Sequence, residues 1–172
     1  MSNTGIIYGV NGPVIYLKGD SGFKISEMVY VGPEKLVGEV IGLKKGMTTV
    51  QVFEETTGLK PGDTVMGTGD AISVLLGPGI IHNIFDGIQR PLDDIMKISG
   101  NNLKRGVEVP SLKRNLKWEF VPTVKVGDEV ETGDVIGTVQ ETVLVQQKIM
   151  VPYGIKGTIK EIKEGTFTVE AV

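Results

Sequence analysis

The sequence predicts a mainly β protein, with two small β-rich units joined by a segment that contains one short helix. Strand-like segments separated by glycine turns recur through both ends of the 172-residue chain. Glycine is frequent, with 24 residues, whereas aromatic residues make up 6%, a composition that suits short strands and tight turns. A helical pattern stands out only after Pro91. These observations place the domain bounds at 1–70, 71–108 and 109–172.

The first unit is predicted to be a small β-barrel. Six strand candidates occur at the regular spacing of a barrel or sandwich, and a core this small favours closing the sheet to remove its edges. We expect Gly12, Gly46 and Gly62 to lie in the turns between strands, where φ is positive. The six candidates are Gly5–Val10, Val14–Leu17, Ser26–Val31, Leu36–Leu43, Met47–Phe53 and Thr64–Thr68.

The connecting segment is predicted to contain a strand, Ala71–Leu76, a glycine-rich stretch and an amphipathic helix over 91–99. Pro91 suits a first helical turn because its φ is fixed and it has no N–H to satisfy. Asp93 and Asp94 follow at the positive end of the helix dipole, and Ser99-Gly100 provides a stop. The apolar residues near helical spacing are Leu92, Ile95, Met96 and Leu103. Asn101-Asn102, Gly106 and Pro110 indicate a second boundary.

The last third repeats a pattern of strands and Gly-Asp turns. Gly127-Asp128 and Gly133-Asp134 each separate two strand-like segments, and further short strand candidates follow over 148–169. The pattern V-x-V-G-D-x-V-x-x-G-D-x-I-G-x-V resembles biotinyl and lipoyl carrier domains, which are flattened barrels of two similar halves. This resemblance implies a barrel-sandwich fold for residues 109–172.

Five segments in chain order resemble one protein family. They are YGVNGPVI at 8–15, VGEVIGL at 37–43, QVFEETTGLKPGDTV at 51–65, LGPGIIHNIFDGIQRPLDDI at 76–95 and KIMVPYGIKGTI at 148–159. They are spread along nearly the whole chain and resemble the catalytic A subunits of V-type and A-type rotary ATPases.

The resemblance implies the N-terminal portion of such a subunit, ending before the phosphate-binding loop. The family couples ATP hydrolysis or synthesis to proton or sodium ion transport, with Mg-ATP bound in the parent chain. The implied partners are the B subunits of the catalytic ring and the peripheral stalk, on the cytoplasmic side of the membrane. In this family the barrel forms part of a crown and residues 109–172 form a protruding bulge that continues past Phe167–Val169. The portion present here is therefore expected to serve ring assembly and subunit contacts rather than catalysis.

The sequence contains no recognisable catalytic or ligand-binding set. It has no G-x-x-x-x-G-K-[ST] phosphate loop, no Gly-Lys dipeptide and no G-x-G-x-x-G. His82 is the single histidine and cysteine is absent, which excludes histidine clusters and thiolate sites for metals. We therefore assign no catalytic, cofactor-binding or metal-ligating residue to this chain.

Several residues nevertheless have two interpretations. Arg90, beside a helix N-terminus, could hold an anion, but Asp93 and Asp94 would repel it, so we expect these acids to cap the helix and Arg90 to support packing against a neighbouring domain. The adjacent pairs Glu54-Glu55 and Asp93-Asp94 are predicted to be solvated. Trp118 is predicted to be a core or rim anchor of the last unit.

Two alternative functions remain open. A biotin or lipoyl carrier would present a modified Lys148 on a tight turn, although the flanking residues match that motif only in part. A standalone β-barrel interaction module would explain the missing catalytic motifs. A net charge of −3 with interspersed signs gives no reason to expect nucleic acid. No apolar run approaches the roughly 20 residues that cross a bilayer, and no signal peptide is evident, so no membrane insertion is expected.

Overall fold

The computed structural model describes residues 3–81, 83–100 and 105–171. The chain forms two compact units: the first consists of residues 1–74 and 85–109, and the second of residues 75–84 and 110–172. The predicted connecting segment, 71–108, is thus shared between the units, and the three-part division made from the sequence stays a prediction. The predictions for His82, Leu103 and Asn101-Asn102 lie outside the described residues.

The first unit contains a closed barrel of six antiparallel strands, as the sequence predicts. The strands are β1 (Thr4–Asn11), β2 (Val14–Lys18), β3 (Glu27–Val31), β4 (Leu36–Lys44), β5 (Met47–Val52) and β6 (Thr64–Ala71). Neighbours around the barrel run β1-β2-β5-β4-β3-β6, and β1 closes on β6 through pairs such as Gly5 with Val65. Closure pairs every strand on both sides and so leaves no open edge.

Alternating residues of the strands fill the barrel interior. In β3, for example, Val29 and Val31 are buried, while Met28 and Tyr30, which alternate with them, are partly exposed. This is the period of two that a pleated strand imposes. The buried cluster is Ile7, Ile15, Leu17, Phe23, Val29, Val31, Leu36, Val40, Val50, Val52 and Val65. Aliphatic side chains therefore supply almost the entire core, which fits the low aromatic content.

Glu27 is the charged residue among the buried side chains of the described barrel. Its carboxylate accepts hydrogen bonds from the N–H of Lys24 at 2.8 Å and from the N–H of Gly69 at 3.0 Å. A Cβ at Gly67 would lie 2.2 Å from Glu27 Oε1, so glycine is required beside the carboxylate. Glu27 thereby fastens the loop before β3 to strand β6.

The predicted turn glycines are confirmed. Gly12, Gly46 and Gly62 lie in turns with φ of 57°, 74° and 100°. Asn11 ends β1, so Gly12 is the first central residue of the turn and Pro13 the second. A positive φ at the first central position matches the type II′ hairpin, which requires glycine there.

Three Gly-Asp turns, at Gly62, Gly127 and Gly133, share one geometry. In the first unit, Asp63 Oδ2 accepts the N–H of Lys60 at 3.0 Å, and Gly62 N–H donates to the carbonyl of Ile7 at 2.9 Å. In the second unit, Asp128 and Asp134 accept the N–H groups of Lys125 and Glu131, both at 2.8 Å. Gly127 and Gly133 likewise donate to backbone carbonyl groups, those of Ile159 and Val151. The glycine supplies the positive φ and the aspartate closes the turn.

The predicted helix is α1 (Leu92–Ser99). Pro91 was expected to be the first helical residue, but it is the N-cap residue directly before the helix. It provides no side-chain cap. Asp93 and Asp94 lie in the first turn as predicted, where their negative charge suits the positive end of the helix dipole. Gly100 ends the helix with φ 67°, and its N–H donates to the carbonyl of Met96 at 2.8 Å.

The predicted strand Ala71–Leu76 is wrong. Ala71 ends β6, and residues 72–76 lie outside the described strands and are exposed. Their apolar side chains fit a strand pattern in the sequence, but this pattern does not show where the preceding strand ends.

The second unit has the predicted barrel-sandwich character. A four-stranded sheet has the order β10-β9-β7-β12, and β8 pairs with β11. The strands are β7 (Lys117–Pro122), β8 (Glu129–Val130), β9 (Val135–Gln140), β10 (Gln146–Met150), β11 (Gly157–Thr158) and β12 (Gly165–Thr168). The ring of Phe120 covers Gly137, where a Cβ would lie 2.1 Å from the ring, and so holds β7 closely against β9.

Candidate functional site

The most highly connected polar site of the first unit is built on Asp86. Oδ1 of its carboxylate accepts the N–H groups of Ile88 at 3.1 Å and of Arg90 at 2.9 Å. The N–H of Asp86 donates in turn to the carbonyl of Arg90 at 3.1 Å, and Gln89 adopts φ 61°. An aspartate that binds backbone N–H groups ahead of it favours a compact turn. The local sequence 86–90 therefore fixes where the Arg90 side chain begins.

Arg90 joins this turn to the barrel. Its Nε donates to Asp86 Oδ2 at 2.8 Å, and its Nη1 donates to Glu54 Oε2 at 3.1 Å and to the carbonyl of Val107 at 3.2 Å. The guanidinium, with five donors in a rigid fork, suits several acceptors in one plane. Arg90 thus contacts its own turn, the end of β5 and the chain beyond the helix.

Glu54 is the partner on the barrel side, and its side chain is only 8% exposed. Besides Arg90, Glu54 Oε2 accepts the N–H of Gly106 at 2.9 Å. The prediction that Glu54 is solvated is therefore wrong, because two donors far away in sequence converge on it. Glu55, its neighbour, is exposed as predicted.

Arg105 forms a second attachment between the segment and the barrel. Its guanidinium forms two bonds to Glu34, from Nε to Oε2 at 2.6 Å and from Nη2 to Oε1 at 3.1 Å, and it also donates to the carbonyl of Thr57. Gly106 has φ 66°, and a Cβ there would lie 2.7 Å from the Glu34 carbonyl oxygen. We call Arg90, Asp86, Glu54, Arg105 and Glu34 the arginine cluster.

The charges of the cluster shift two pKa values. Burial by itself would raise the pKa of Asp86, but hydrogen bonds from the backbone and side chain of Arg90 and from the N–H of Ile88 outweigh it and hold this pKa below its ordinary value of 3.8. Burial would lower the pKa of Arg90, but Asp86 and Glu54 reverse that effect and raise it. Both groups are therefore charged at neutral pH, and the cluster is an ion-pair network.

A cleft of about 430 Å³ lies beside the cluster in the first unit. Its walls combine apolar side chains from the outer face of the barrel with the backbone of residues 106–109. The side chains are Tyr30, Glu34, Lys35, Val37, Glu54, Met66, Ile88, Arg90, Val107, Glu108 and Val109. Among its charged lining residues, Arg90 and Glu54 are paired with each other, and Glu34 is paired with Arg105.

The described residues show no catalytic or ligand-binding arrangement at the other candidates that the sequence suggested, Arg90 and Lys148. Arg90 is engaged by carboxylates rather than held open for an anion, and it supports packing within its own unit. Lys148 lies in the middle of β10, paired with Thr138, and not on the tight turn that a carrier lysine would need. Among the described residues, no three His, Asp or Glu side chains are grouped to hold a metal ion. Within the same ranges, no helix is long and apolar enough to span a bilayer.

Trp118 has the anchoring role expected of it in the second unit. The ring lies over Gly79, whose Cβ position would be 3.1 Å from Trp118 Cζ2. The sequence gives no sign of this contact, because Gly79 has no side chain to mark it as a packing partner.

The two units match two models of one family. The ATP synthase alpha/beta family, beta-barrel domain, matches residues 7–69. The ATPsynthase alpha/beta subunit barrel-sandwich domain matches residues 109–172. A closed six-stranded barrel followed by a barrel-sandwich unit thus defines the class, and the chain belongs to the ATP synthase alpha/beta family.

Individual relatives refine this assignment. The chain is 54% identical over 170 residues to a V-type ATP synthase alpha chain of Clostridium perfringens (strain SM101 / Type A), covering 98% of this chain and 29% of the relative. It is 54% identical over 166 residues to a V-type ATP synthase alpha chain of Clostridium botulinum (strain Langeland / NCTC 10281 / Type F), covering 96% and 28%. The family resemblance of the five sequence segments is confirmed. The chain spans less than a third of the length of these relatives.

Replacing Arg90 tests the cluster as a source of stability. Arg90→Met keeps much of the side-chain volume but leaves Glu54 and Asp86 without their cation. We expect a loss of about 2 kcal/mol or more in the free energy of unfolding at pH 7, because removing one partner of a buried ion pair strands the other. Urea unfolding of the 172-residue chain measures this loss.

The loss should depend on pH in a defined direction. Because the folded pKa of Asp86 is lowered, its contribution is complete above the unfolded pKa of about 3.9 and disappears as pH falls through the folded value. The difference between wild type and Arg90→Met should therefore shrink below about pH 4. Lys97→Met, which removes an exposed ion pair with Asp94, should leave stability nearly unchanged at every pH. Equal effects of the two substitutions would refute the cluster's role.

Proposed function

We propose that this chain is the N-terminal portion of the catalytic A subunit of a V/A-type ATPase or ATP synthase. In the parent protein, ATP hydrolysis or synthesis at A/B subunit interfaces, with Mg-ATP, is coupled to proton or sodium ion transport. This N-terminal portion serves ring assembly and contacts with B subunits and the peripheral stalk, at the cytoplasmic side of the membrane. The observation that carries the proposal is 54% identity to V-type ATP synthase alpha chains along 98% of the chain.

The outer face of the barrel supports an assembly role. Large apolar side chains are exposed on several strands, including Ile6 and Tyr8 on β1, Ile41 and Leu43 on β4, and Met66 on β6. Ile6 and Tyr8 are 50% and 58% exposed and lie two residues apart on β1, which pairs with β6. Exposed apolar groups on adjacent strands indicate protein contacts more often than isolated ones do. The arginine cluster, in turn, fixes the helix-bearing segment to this barrel.

Substitutions on the barrel surface test the assembly role. We expect the double substitution of Ile6 and Tyr8 by Ser, or that of Ile41 and Leu43, to weaken association of the full-length catalytic chain with B subunits in size-exclusion chromatography. Both pairs are exposed, so folding should be retained and circular dichroism should be unchanged. Ring formation unaffected by either pair would show that these surfaces do not make the contact.

A second test concerns nucleotide binding by the 172-residue chain itself. Tight binding of a triphosphate needs a cradle of backbone N–H groups, a lysine and a magnesium ligand together, and the sequence contains no phosphate loop. We therefore expect titration calorimetry with Mg-ATP to give no saturable heat up to millimolar ligand, and no hydrolysis. Micromolar binding at a defined stoichiometry would mean that the nucleotide site lies within these residues.

A further inference from the structure

A loop of the second unit closes around a buried carboxylate. Oε1 of Glu141 accepts the N–H of Gly79 at 2.9 Å and the N–H of Ile81 at 3.0 Å. Glu141 follows the end of β9, so these bonds join positions about 60 residues apart in the sequence. Backbone N–H groups that converge on one oxygen form a small concave site for anions.

The carboxylate depends on these N–H groups. The Glu141 residue is only 8% exposed, and no lysine or arginine of the described residues forms a salt bridge with it. Its second oxygen, Oε2, accepts no hydrogen bond from the described residues. A buried charge is costly unless hydrogen bonds replace its lost hydration, so the two loop N–H groups carry most of that compensation.

Further contacts hold the 77–81 loop in place. Gly79 has φ 99°, and Trp118 Cζ2 lies 3.1 Å from where its Cβ would be. Asn83 Nδ2 donates to the Gly79 carbonyl at 2.6 Å. A Cβ at Gly77 would lie 2.9 Å from Leu112 Cδ1. Glycine is thus needed for the backbone angle and for the close approach of Trp118, while Glu141 binds N–H groups of the same loop.

The position of the loop in the chain gives this contact its importance. Residues 75–84 belong to the second unit, whereas the residues on both sides of them, 1–74 and 85–109, belong to the first. The polypeptide therefore enters the second unit at residue 75, leaves it after 84 and returns at 110. The N–H groups of Gly79 and Ile81 that bind Glu141 lie within this excursion.

We propose that the 77–81 loop is a backbone anion site for a carboxylate, and that Glu141 occupies it as a latch that holds the loop on the second unit. When the latch opens, Glu141 Oε1 separates from the N–H groups of Gly79 and Ile81, and Gly79 moves away from Trp118. Residues 75–84 are then no longer held by this contact. With the Glu141 side chain removed, a free small carboxylate can take its place. This assignment is independent of the proposed function.

Trp118 supplies a direct readout, because it is the single tryptophan of the chain. In the 172-residue chain, Glu141→Ala should raise the acrylamide quenching constant of Trp118 fluorescence about twofold, since the loop opens locally without global unfolding. Acetate should lower quenching again in a concentration-dependent way. Acetamide, which has the same shape without the charge, should not. Glu129→Ala, at an exposed site on β8 of the same unit, should quench like wild type.

Each other outcome overturns the proposal. Quenching of Glu141→Ala equal to wild type would show that Glu141 does not hold the loop, and equal recovery with acetamide would show cavity filling rather than anion recognition. If circular dichroism shows that Glu141→Ala does not fold, Glu141→Gln replaces it, because it keeps the side-chain size and removes the charge. Quenching of Glu141→Gln equal to wild type would then refute the latch.

Discussion

A single carboxylate holds both ends of the helix-bearing segment on the barrel. Glu54 Oε2 accepts Arg90 Nη1 from the turn before the helix and the N–H of Gly106 from the chain after it. Helix α1 has eight residues, and isolated helices of that length are marginal in water. Its persistence therefore depends on tertiary contacts, which include the burial of Ile95 and the fixing of both ends. Arg105 and Glu34 add a second, more exposed attachment at the C-terminal end of the segment.

The remaining architecture commits its buried polar groups to structural contacts. The barrel closes on an aliphatic core and both units reuse the same Gly-Asp turn, in which the aspartate satisfies a backbone N–H. The most buried carboxylates, Glu27, Glu54 and Glu141, all accept backbone N–H groups that fasten one segment to another. Polar groups committed in this way are not available for chemistry, which supports the proposal that this portion serves assembly.

The sequence predicted what is encoded locally and missed what depends on distant partners. The six barrel strands, their turn glycines and the end of α1 at Gly100 were predictable, because alternation and glycine turns act over a few residues. Ala71–Leu76 was predicted wrongly, since apolar content cannot show whether a partner strand exists. Arg90 was identified as a packing residue, but Glu54 was not identified as its partner, because the two lie 36 positions apart and adjacent glutamates usually indicate a solvated surface.

Hydrogen–deuterium exchange measured by mass spectrometry on Glu54→Gln tests the central role of Glu54 most directly. Loss of the charge weakens its bonds to Arg90 and to Gly106 together, so amides of both 86–91 and 105–109 should exchange faster than in wild type, while the barrel strands keep their protection. Glu55→Gln is the matched control, because Glu55 is adjacent and exposed, and it should leave both segments unchanged. Wild-type exchange at both segments in Glu54→Gln would contradict the account.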